Sequence, residues 1–344
     1  MTERGLRRAW ARAQLLGERP RTRRDVAAVA AAVGGIQAQD LTTAGLSIRA
    51  RSGASRLSDV MSAVEAGEVV VTWTLRGTRH LHARDDVAWM VRLLGPVFNR
   101  PGRRAEQLGI AGRTGSRAVA ALREALADGP LDRDQVRQLL APVGVDPSGQ
   151  AVVHVIGRAA LEGALHVVPG RPERYAPLEL EDEAGPQTGA AAAAELARRH
   201  LAGFGPATPD DFRAWSGLGA GAVREAWATI EPELAQLGTG RWVLADHLEG
   251  TRSAARRTAP PRLLGGFDAL LLGRADRSAL VAPEHARKVN PGGGMIKATV
   301  LVDGRVVGTW TGGRRTPVQI EPFQPFDTSA LDEEAAAVSA FLRP

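Results

Sequence analysis

Apolar residues recur three and four positions apart along most of the chain before residue 260, which is the spacing of amphipathic helices. One motif, Pro-x-(Thr/Asp)-x-x-(Asp/Gln) followed by apolar residues three apart, occurs three times in this part. Its copies start at Pro20, Pro130 and Pro206. A Thr or Asp in the third place is a good N-cap, and the acid or amide three residues later completes a capping box. The motif therefore predicts helices that begin after Thr22, Asp132 and Thr208, the last with Pro209 at its first position.

Each copy of the motif has similar neighbours along the chain. A helical pattern precedes it, at residues 6–16, 117–126 and 191–201, and two further helices and short β-rich pieces follow. Three helices followed by a two-stranded wing is the plan of a winged helix, a variant of the helix-turn-helix. The pattern predicts an α+β fold with three tandem winged-helix units. Chance recurrence of helix caps in a helical protein is the alternative explanation.

Beyond residue 260 the pattern changes from helical spacing to β-strands. Residues 298–302 and 305–310 flank Asp303-Gly304, a strong signal for a hairpin with a two-residue turn, and residues 318–323 predict a further strand. Residues 329–342 predict an amphipathic helix with Thr328 or Ser329 as its N-cap.

These patterns divide the chain into five parts. The predicted boundaries are residues 1–110 for the first unit, 111–178 for the second, 179–190 for an acidic and Gly/Pro-containing linker, 191–260 for the third unit, and 261–344 for a β-rich C-terminal region with a terminal helix.

Charge is the most informative part of the composition. The 344 residues include 44 Lys and Arg against 38 Asp and Glu, a net charge of +6, which favours a polyanionic partner. Only Lys288 and Lys297 are lysines, a ratio that the Ala- and Gly-rich composition of a GC-rich genome explains equally well. The chain has no cysteine, which excludes disulfides, thiol nucleophiles and Cys-ligated metals. Its basic N-terminus lacks the continuous apolar core of a signal peptide, so we expect a cytoplasmic protein.

Residues 34–40, Gly-Gly-Ile-Gln-Ala-Gln-Asp, stand out among the candidate sites. Two glycines end the preceding helix, and Gln37 and Gln39 would aim their amides the same way on an extended backbone. We expect them near the start of the third helix of the first unit, the element that approaches DNA in a winged helix. A solvated turn with two neutral polar residues is the alternative.

Two basic strings accompany this motif. The first, residues 76–82, places Arg76, Thr78 and His80 in the predicted wing as DNA contacts. The pair His80-x-His82 could hold a metal on one strand face, but no further ligand has metal-site spacing, so we expect no metal and no cofactor.

The second string, residues 284–297, surrounds the glycines 292–294. Its predicted DNA contacts, with one from the hairpin, are Arg287, Lys288, Lys297 and Arg305. We expect this loop or the hairpin turn at Asp303-Gly304 to enter a DNA groove. A surface hairpin that only packs on the third unit is the alternative.

Residues 34–40 and three later segments together resemble one known family. The segments are residues 72–80, 266–273 and 299–310. The chain is similar, from about residue 5 to about residue 325, to the winged-helix DNA glycosylases of the AlkZ type. The resemblance implies three tandem winged helices with a concave basic surface for duplex DNA, and removal of bulky N7-alkylated purines or unhooking of interstrand crosslinks. It also implies that Gln37 and Gln39 are catalytic. The Gln-x-Gln form goes in that family with narrower specificity and with resistance to a self-made antibiotic.

The chemistry of such a substrate agrees with this motif. Alkylation at N7 makes guanine a cationic leaving group that needs little acid catalysis. A glutamine amide is too weak a base to remove a proton at neutral pH, but it can orient a water molecule. Asp40 is the alternative base, and it could equally act as a helix cap. We therefore expect a monofunctional, monomeric DNA glycosylase. A winged-helix transcription regulator, another non-catalytic DNA-binding protein or a protein that sequesters an alkylating compound are the alternatives.

Overall fold

The computed structural model describes residues 1–20, 22–53, 56–100, 102–180, 185–186 and 189–343. The helices are α1 (Glu3–Ala13), α2 (Val26–Ala32), α3 (Leu41–Ser52), α4 (Leu57–Glu65), α5 (Arg84–Phe98), α6 (Arg103–Gln107), α7 (Gly112–Leu126), α8 (Arg133–Leu140), α9 (Ala151–Leu161), α10 (Gly189–Phe204), α11 (Pro209–Ser216), α12 (Ala220–Ile230), α13 (Leu248–Ala254), α14 (Ala269–Leu272), α15 (Ala286–Val289) and α16 (Asp332–Leu342). The strands are β1 (Ile36–Gln37), β2 (Val69–Trp73), β3 (Arg79–Ala83), β4 (Leu131–Asp132), β5 (Leu165–Val168), β6 (Arg174–Pro177), β7 (Leu234–Gln236), β8 (Trp242–Leu244), β9 (Arg262–Leu264), β10 (Thr299–Val302), β11 (Arg305–Thr311) and β12 (Gln319–Pro322). The fold is therefore a mixture of helices and small sheets.

One order of elements recurs three times: helix, short strand, two helices, hairpin. The first segment is α2-β1-α3-α4-β2-β3, the second is α7-β4-α8-α9-β5-β6, and the third is α10-α11-α12-β7-β8 with the single bridging residue Ala207 as its short strand. In each segment the short strand pairs with the last strand of the hairpin. The predicted succession of helices and hairpins is found in the second and third copies, but in the first copy the expected leading helix, residues 6–16, is α1 and lies outside the recurring order.

The hairpins of the first two segments form one antiparallel sheet of six strands in the order β1-β3-β2-β5-β6-β4. Val71 of β2 lies opposite Val167 of β5 where the two hairpins meet, and the Thr72 hydroxyl donates to the carbonyl of Leu165. The side chains of β2 and β3 are buried on both faces of the sheet, apart from the half-buried residues at the strand ends. Strand β1, which carries Gln37, is an edge strand of this sheet.

The helix caps are confirmed in two copies of the motif and wrong in the first. Asp132 with Gln135 and Thr208 with Asp211 form capping boxes. At the first copy Asp25, not Thr22, caps α2, because its carboxylate directly precedes the apolar run and accepts from the first free N–H groups. The true counterpart of Asp132 and Thr208 is Asp40, which caps α3.

The C-terminal region forms a four-stranded sheet in the order β12-β11-β10-β9. The predicted hairpin is confirmed: Asp303 and Gly304 have φ angles of 48° and 77°, as a tight two-residue turn requires. The further strand and the terminal helix are also confirmed. The predicted N-cap is wrong, because Ser329–Leu331 forms a separate short turn and α16 begins at Asp332 without a side-chain cap.

A buried polar network joins distant parts of the chain. The Arg51 guanidinium of α3 binds both carboxylate oxygens of Asp268 at 2.8 Å, and it also donates to the side chain of Gln14. Gln14 donates in turn to the carbonyl of Gly203 in α10. Burial alone would raise the pKa of Asp268, but the charge and hydrogen bonds of Arg51 outweigh that effect and lower it.

The first segment also receives part of its core from the C-terminal helix. Val338, Phe341 and Leu342 of α16 pack in the same apolar cluster as the first two segments. The Arg49 guanidinium of α3 forms a buried ion pair with Glu334. None of the helices within the described ranges is long and apolar enough to span a membrane. The predicted linker, residues 179–190, lies partly outside the described residues, and α10 begins at Gly189.

We predict that Asp268→Asn lowers the free energy of unfolding by about 3–5 kcal/mol, because it leaves the fully buried charge of Arg51 without a counterion. Denaturant unfolding followed by circular dichroism measures this change. Asp134→Asn is the matched control, since Asp134 pairs with Arg137 at the surface and its loss should cost less than about 1 kcal/mol. Equal losses in the two variants would contradict the prediction.

Candidate active site

Two glycines place the motif of residues 34–40 against the sheet. Gly34 and Gly35 end α2 with φ angles of 66° and 102°, a region that favours glycine. A Cβ atom at Gly35 would overlap the ring of His82, and one at Gly34 would lie 2.7 Å from the indole of Trp215. The chain can therefore turn into β1 only because both positions lack a side chain.

Gln37 lies almost buried on β1, with 9% of its surface exposed. It pairs with His80 of β3, and the neighbouring Ala38 N–H donates to the carbonyl of Arg79 at 2.8 Å. Its side-chain oxygen accepts a hydrogen bond from the Arg76 guanidinium at 3.0 Å. The amide of Gln37 is therefore held in a fixed orientation.

Gln39 is exposed and lies beyond the end of β1. It lines a cavity of about 380 Å³ between the hairpins of the first two segments. Apolar residues such as Met61 and Val167 line the same cavity beside polar ones. No hydrogen-bond partner of the Gln39 side chain is found in the part of the chain that the structure describes, so this amide is available to a ligand.

Asp40 caps helix α3. One carboxylate oxygen accepts from the backbone N–H of Thr43 at 2.8 Å and from its hydroxyl at 2.9 Å. Its capping role is confirmed.

The two histidines behind Gln37 are buried. The Nε2 atom of His82 lies 2.7 Å from the hydroxyl of Thr74, and burial lowers the pKa of His82 to about 3. Burial, and then the charges of Arg76 and His82, hold the pKa of His80 well below its ordinary value. Both rings are therefore neutral at physiological pH. Their ring centres are 5.8 Å apart, and no group of three or more metal-ligating side chains occurs in the described ranges.

His80, which was predicted to contact DNA, is buried in the structure. Only 2% of His80 is exposed, because the register of β3 turns it inward beside Gln37, and both sheet faces are covered there. Thr78 is half-buried, and its hydroxyl donates to the carbonyl of Leu75. Arg76 lies beside Gln37, and burial, then the charge of Arg277, lowers the pKa of Arg76 to about 10. It keeps its positive charge at neutral pH.

Comparisons with known proteins identify the family of this chain. A family model described as "DNA glycosylase AlkZ-like" matches residues 30–343. The chain belongs to the AlkZ-like DNA glycosylase family. It is 29% identical over 345 residues to an interstrand DNA cross-link repair glycosylase of Streptomyces sahachiroi, covering 93% of this chain and 91% of that protein. The solved structure of Streptomyces sahachiroi DNA glycosylase AlkZ superimposes with a TM-score of 0.84 at 25% identity, covering 100% of this chain and 98% of that one. The protein is thus an enzyme that acts on DNA.

The other predicted DNA contacts of the AlkZ-like chain lie in its C-terminal region. Arg287, Lys288, Lys297 and Arg305 are all exposed in the C-terminal region. The structure joins none of them to Gln37 or Gln39 by a hydrogen bond or ion pair among the described residues. Nearby, Gly292, Gly293 and Gly294 all have positive φ angles on an exposed loop.

The hairpin turn at Asp303-Gly304 is not free to enter a groove, which corrects one of the two predicted ways of engaging DNA. Both carboxylate oxygens of Asp303 bind the Arg8 guanidinium of α1 at 2.7 Å. A Cβ atom at Gly304 would lie 2.7 Å from the carbonyl oxygen of Arg7. The turn therefore packs on α1.

Arg314 is a site residue that the sequence patterns missed. It lies between β11 and β12 and lines the cavity beside Gln39. Across the same cavity Arg79 of β3 pairs with Glu173 of the second segment at 2.5 Å. The available signal was Gly-Gly-Arg-Arg at residues 312–315, a glycine-containing basic turn between two predicted strands.

We predict that the fold loses stability as the pH falls from about 6.5 towards 3. His82 has a lowered pKa in the fold, so the unfolded chain, with an ordinary histidine pKa near 6.5, takes up the proton first. The contribution of neutral His82 to the free energy of unfolding is complete above about pH 6.5, and about 2 kcal/mol of that contribution is lost by pH 5. Denaturant unfolding at a series of pH values measures the slope.

The variant His82→Gln should flatten that slope, whereas His247→Gln, which changes an exposed side chain, should leave it as it is. An equal slope in His82→Gln and the unmodified protein would contradict the assignment of a buried neutral imidazole.

Proposed function

We propose that this enzyme hydrolyses the N-glycosyl bond of bulky N7-alkylated guanine adducts, or unhooks interstrand crosslinks, in duplex DNA. The observation that carries the proposal is the pairing of two uncharged amides: Gln37 is fixed by Arg76, and Gln39 is free at a cavity of about 380 Å³. A cavity of that size can receive a bulky group attached to a base. The name of the Streptomyces sahachiroi relative supports the crosslink as one substrate.

In the proposed reaction the lesion supplies most of the reactivity. The cationic base leaves as the bond to C1′ breaks, and a positive charge develops on the sugar. Gln37 and Gln39 orient the attacking water. Neither amide can deprotonate it at neutral pH, so the water loses one proton to the solvent once its oxygen has bonded to C1′. An undamaged base, being a poor leaving group, is left intact by such a site. Selectivity therefore comes partly from the lesion itself.

We assign Asp40 to capping rather than to proton removal. One of its oxygens already serves two donors of Thr43, and it ends the turn that carries Gln39. The proposed role of Asp40 is to fix where α3 begins and so where Gln39 lies.

We propose that the three recurring segments are winged-helix units. Each has the order helix, short strand, two helices and hairpin, and the short strand pairs with the last strand of the hairpin. We infer that three such units on one chain, with the exposed cations of the C-terminal region, form a concave surface for a duplex, and that the protein is a monomer. Arg287, Lys288, Lys297 and Arg305 supply phosphate contacts.

The biological role that we propose is base excision repair and self-resistance to a DNA-alkylating antibiotic. The support is the Gln-x-Gln form of the motif at Gln37 and Gln39. A narrow specificity for one adduct fits a cavity with both apolar and charged walls.

Replacing either glutamine should reduce base release much more than DNA binding. We predict that Gln37→Ala and Gln39→Ala each lose about two to three decades in the single-turnover rate, as when other enzymes lose a transition-state hydrogen bond. Duplex DNA with an N7-alkylguanine adduct, treated with alkali after incubation, reveals the abasic sites. Asp40→Asn, tested in parallel, should keep most of the rate.

Gln138→Ala is the matched control, because Gln138 is an exposed glutamine on α8 outside the motif. Full activity of the double variant Gln37→Ala/Gln39→Ala would refute the assignment. Promoter-specific binding without base release would instead favour a transcription regulator.

DNA affinity should fall steeply with salt, because phosphate contacts release counterions. We predict that Arg287→Ala and Lys288→Ala each reduce the slope of log affinity against log salt by about one, for any duplex sequence. Fluorescence anisotropy over a range of salt concentrations measures the slopes. Arg252→Ala is the control, since Arg252 pairs with Glu249 on the surface. An affinity that does not change with salt would argue against a surface that spans the duplex.

A further inference from the structure

Arg76 connects the amide of Gln37 to the third segment. One guanidinium nitrogen donates to the Gln37 side-chain oxygen at 3.0 Å, and the other donates to the carbonyl of Trp215 at the end of α11 at 2.5 Å. No carboxylate lies within ion-pair distance of Arg76 in the described part of the chain. The two closest acceptors of this cation are thus one backbone carbonyl and one candidate catalytic side chain, with His80 Nε2 farther away at 3.5 Å.

The backbone around Arg76 is fixed in a costly conformation. Arg76 has a φ angle of 55°, which is unfavourable for a residue with a side chain. Its Cα atom would lie 3.2 Å from a Cβ at Gly217, so the third segment packs directly on this turn. A strained residue persists where its surroundings determine it, and such residues cluster at functional sites. The position of the guanidinium is therefore set by two segments together.

The chemistry of the two groups decides how Gln37 is oriented. A guanidinium has only donors, so the carbonyl side of the Gln37 amide must face Arg76. His80 fits the same arrangement, because its Nδ1 lies 3.0 Å from the carbonyl of Thr78 and its Nε2, 3.5 Å from Arg76, is then an acceptor. One lone pair of the Gln37 oxygen and both N–H groups remain for the water and the DNA.

We propose that Arg76 is a positioning residue of the glycosylase reaction: it holds the Gln37 amide in one orientation rather than binding a DNA phosphate. This proposal rests on the proposed role of Gln37 in orienting water. It replaces the prediction that Arg76 is a DNA contact, and it makes the catalytic geometry depend on the docking of the third segment.

The first test compares catalysis with binding in Arg76→Asn and Arg76→Lys. Asparagine tolerates a positive φ angle, so the variant should fold. The folding control is its melting temperature, which should equal that of the unmodified protein. We expect single-turnover excision of an N7-alkylguanine from duplex DNA to fall about 10- to 100-fold in both variants, with the dissociation constant changed less than about threefold. Lysine keeps the charge but cannot serve Gln37 and Trp215 at once, so it separates the two roles. Weaker binding with a smaller salt slope in Arg76→Asn, restored in Arg76→Lys, would overturn the proposal and show a phosphate contact.

The second test is a double-mutant cycle with Gln37→Ala. If Arg76 acts through Gln37, Arg76→Asn should reduce the excision rate less than about twofold further in the Gln37→Ala background. Arg287→Ala is the matched cation for comparison, and its effect on binding should be the same with and without Gln37. Independent, multiplying losses for Arg76 and Gln37 would overturn the proposal. Full activity of Gln37→Ala would instead show that the proposed role of Gln37 is wrong, which is a separate outcome.

Discussion

The ion pair between Arg51 and Asp268 is the interaction on which the arrangement of this enzyme depends. It is fully buried, and it joins α3 of the first segment to the C-terminal region, while Gln14 extends the network to α10 of the third segment. A buried pair of charges contributes little net stability over an apolar pair. An arrangement that separates the two charges is strongly destabilised, however, because each buried charge needs the other as its counterion. The Arg51–Asp268 pair therefore specifies one arrangement of the first segment, the third segment and the C-terminal region. Helix α3 carries this anchor near its C-terminal end and begins two residues after Gln39, so the same helix sets the position of the motif.

Within the described part of the chain, the two carboxylates at the cavity beside Gln39 already have partners: Asp40 caps α3, and Glu173 pairs with Arg79. Gln37 has Arg76 on one side and neutral histidines behind it, and the nearest carboxylate of the motif, Asp40, is occupied as a helix cap. Such surroundings suit a substrate that already carries a positive charge on its leaving group, because the site then needs no strong base. In the reaction that we propose, the phosphates of the DNA backbone supply negative charge for the developing sugar cation. In this proposal the charges that stabilise the reaction come from the damaged DNA as well as from the protein.

Local features of the fold could be predicted from sequence, and features that depend on distant contacts could not. The capping boxes at Asp132 and Thr208 and the turn at Asp303-Gly304 depend on neighbouring residues, and all three are confirmed. At the first motif copy the predicted cap is wrong, because Thr22 and Asp25 both offer a capping oxygen and Asp25 is the one that directly precedes the apolar run of α2. Alternation along β3 predicted that His80 and His82 share a face, but not that the face is covered.

The candidate site follows the same division: its local motif can be predicted from sequence, and its contacts with distant segments cannot. The spacing of Gln37 and Gln39 is visible in the sequence, whereas the hydrogen bond from Arg76 to Gln37 depends on how a turn packs against Trp215 in another segment. Arg314 reaches the cavity beside Gln39 from far along the chain. The turn at Asp303 was expected to be free because nothing in its own segment shows that Arg8 would bind it.

The position of α16 has a consequence for how the protein is made. Val338 and Phe341 belong to the apolar core of the first segment, and Glu334 is the counterion of Arg49 in α3. A ribosome synthesises α3 long before α16, so the first segment emerges with part of its core missing. Helix α3, which follows the motif, therefore gains its full packing only after the C-terminal region has been translated. A nascent or prematurely terminated chain would carry the glutamines without part of the core that surrounds α3.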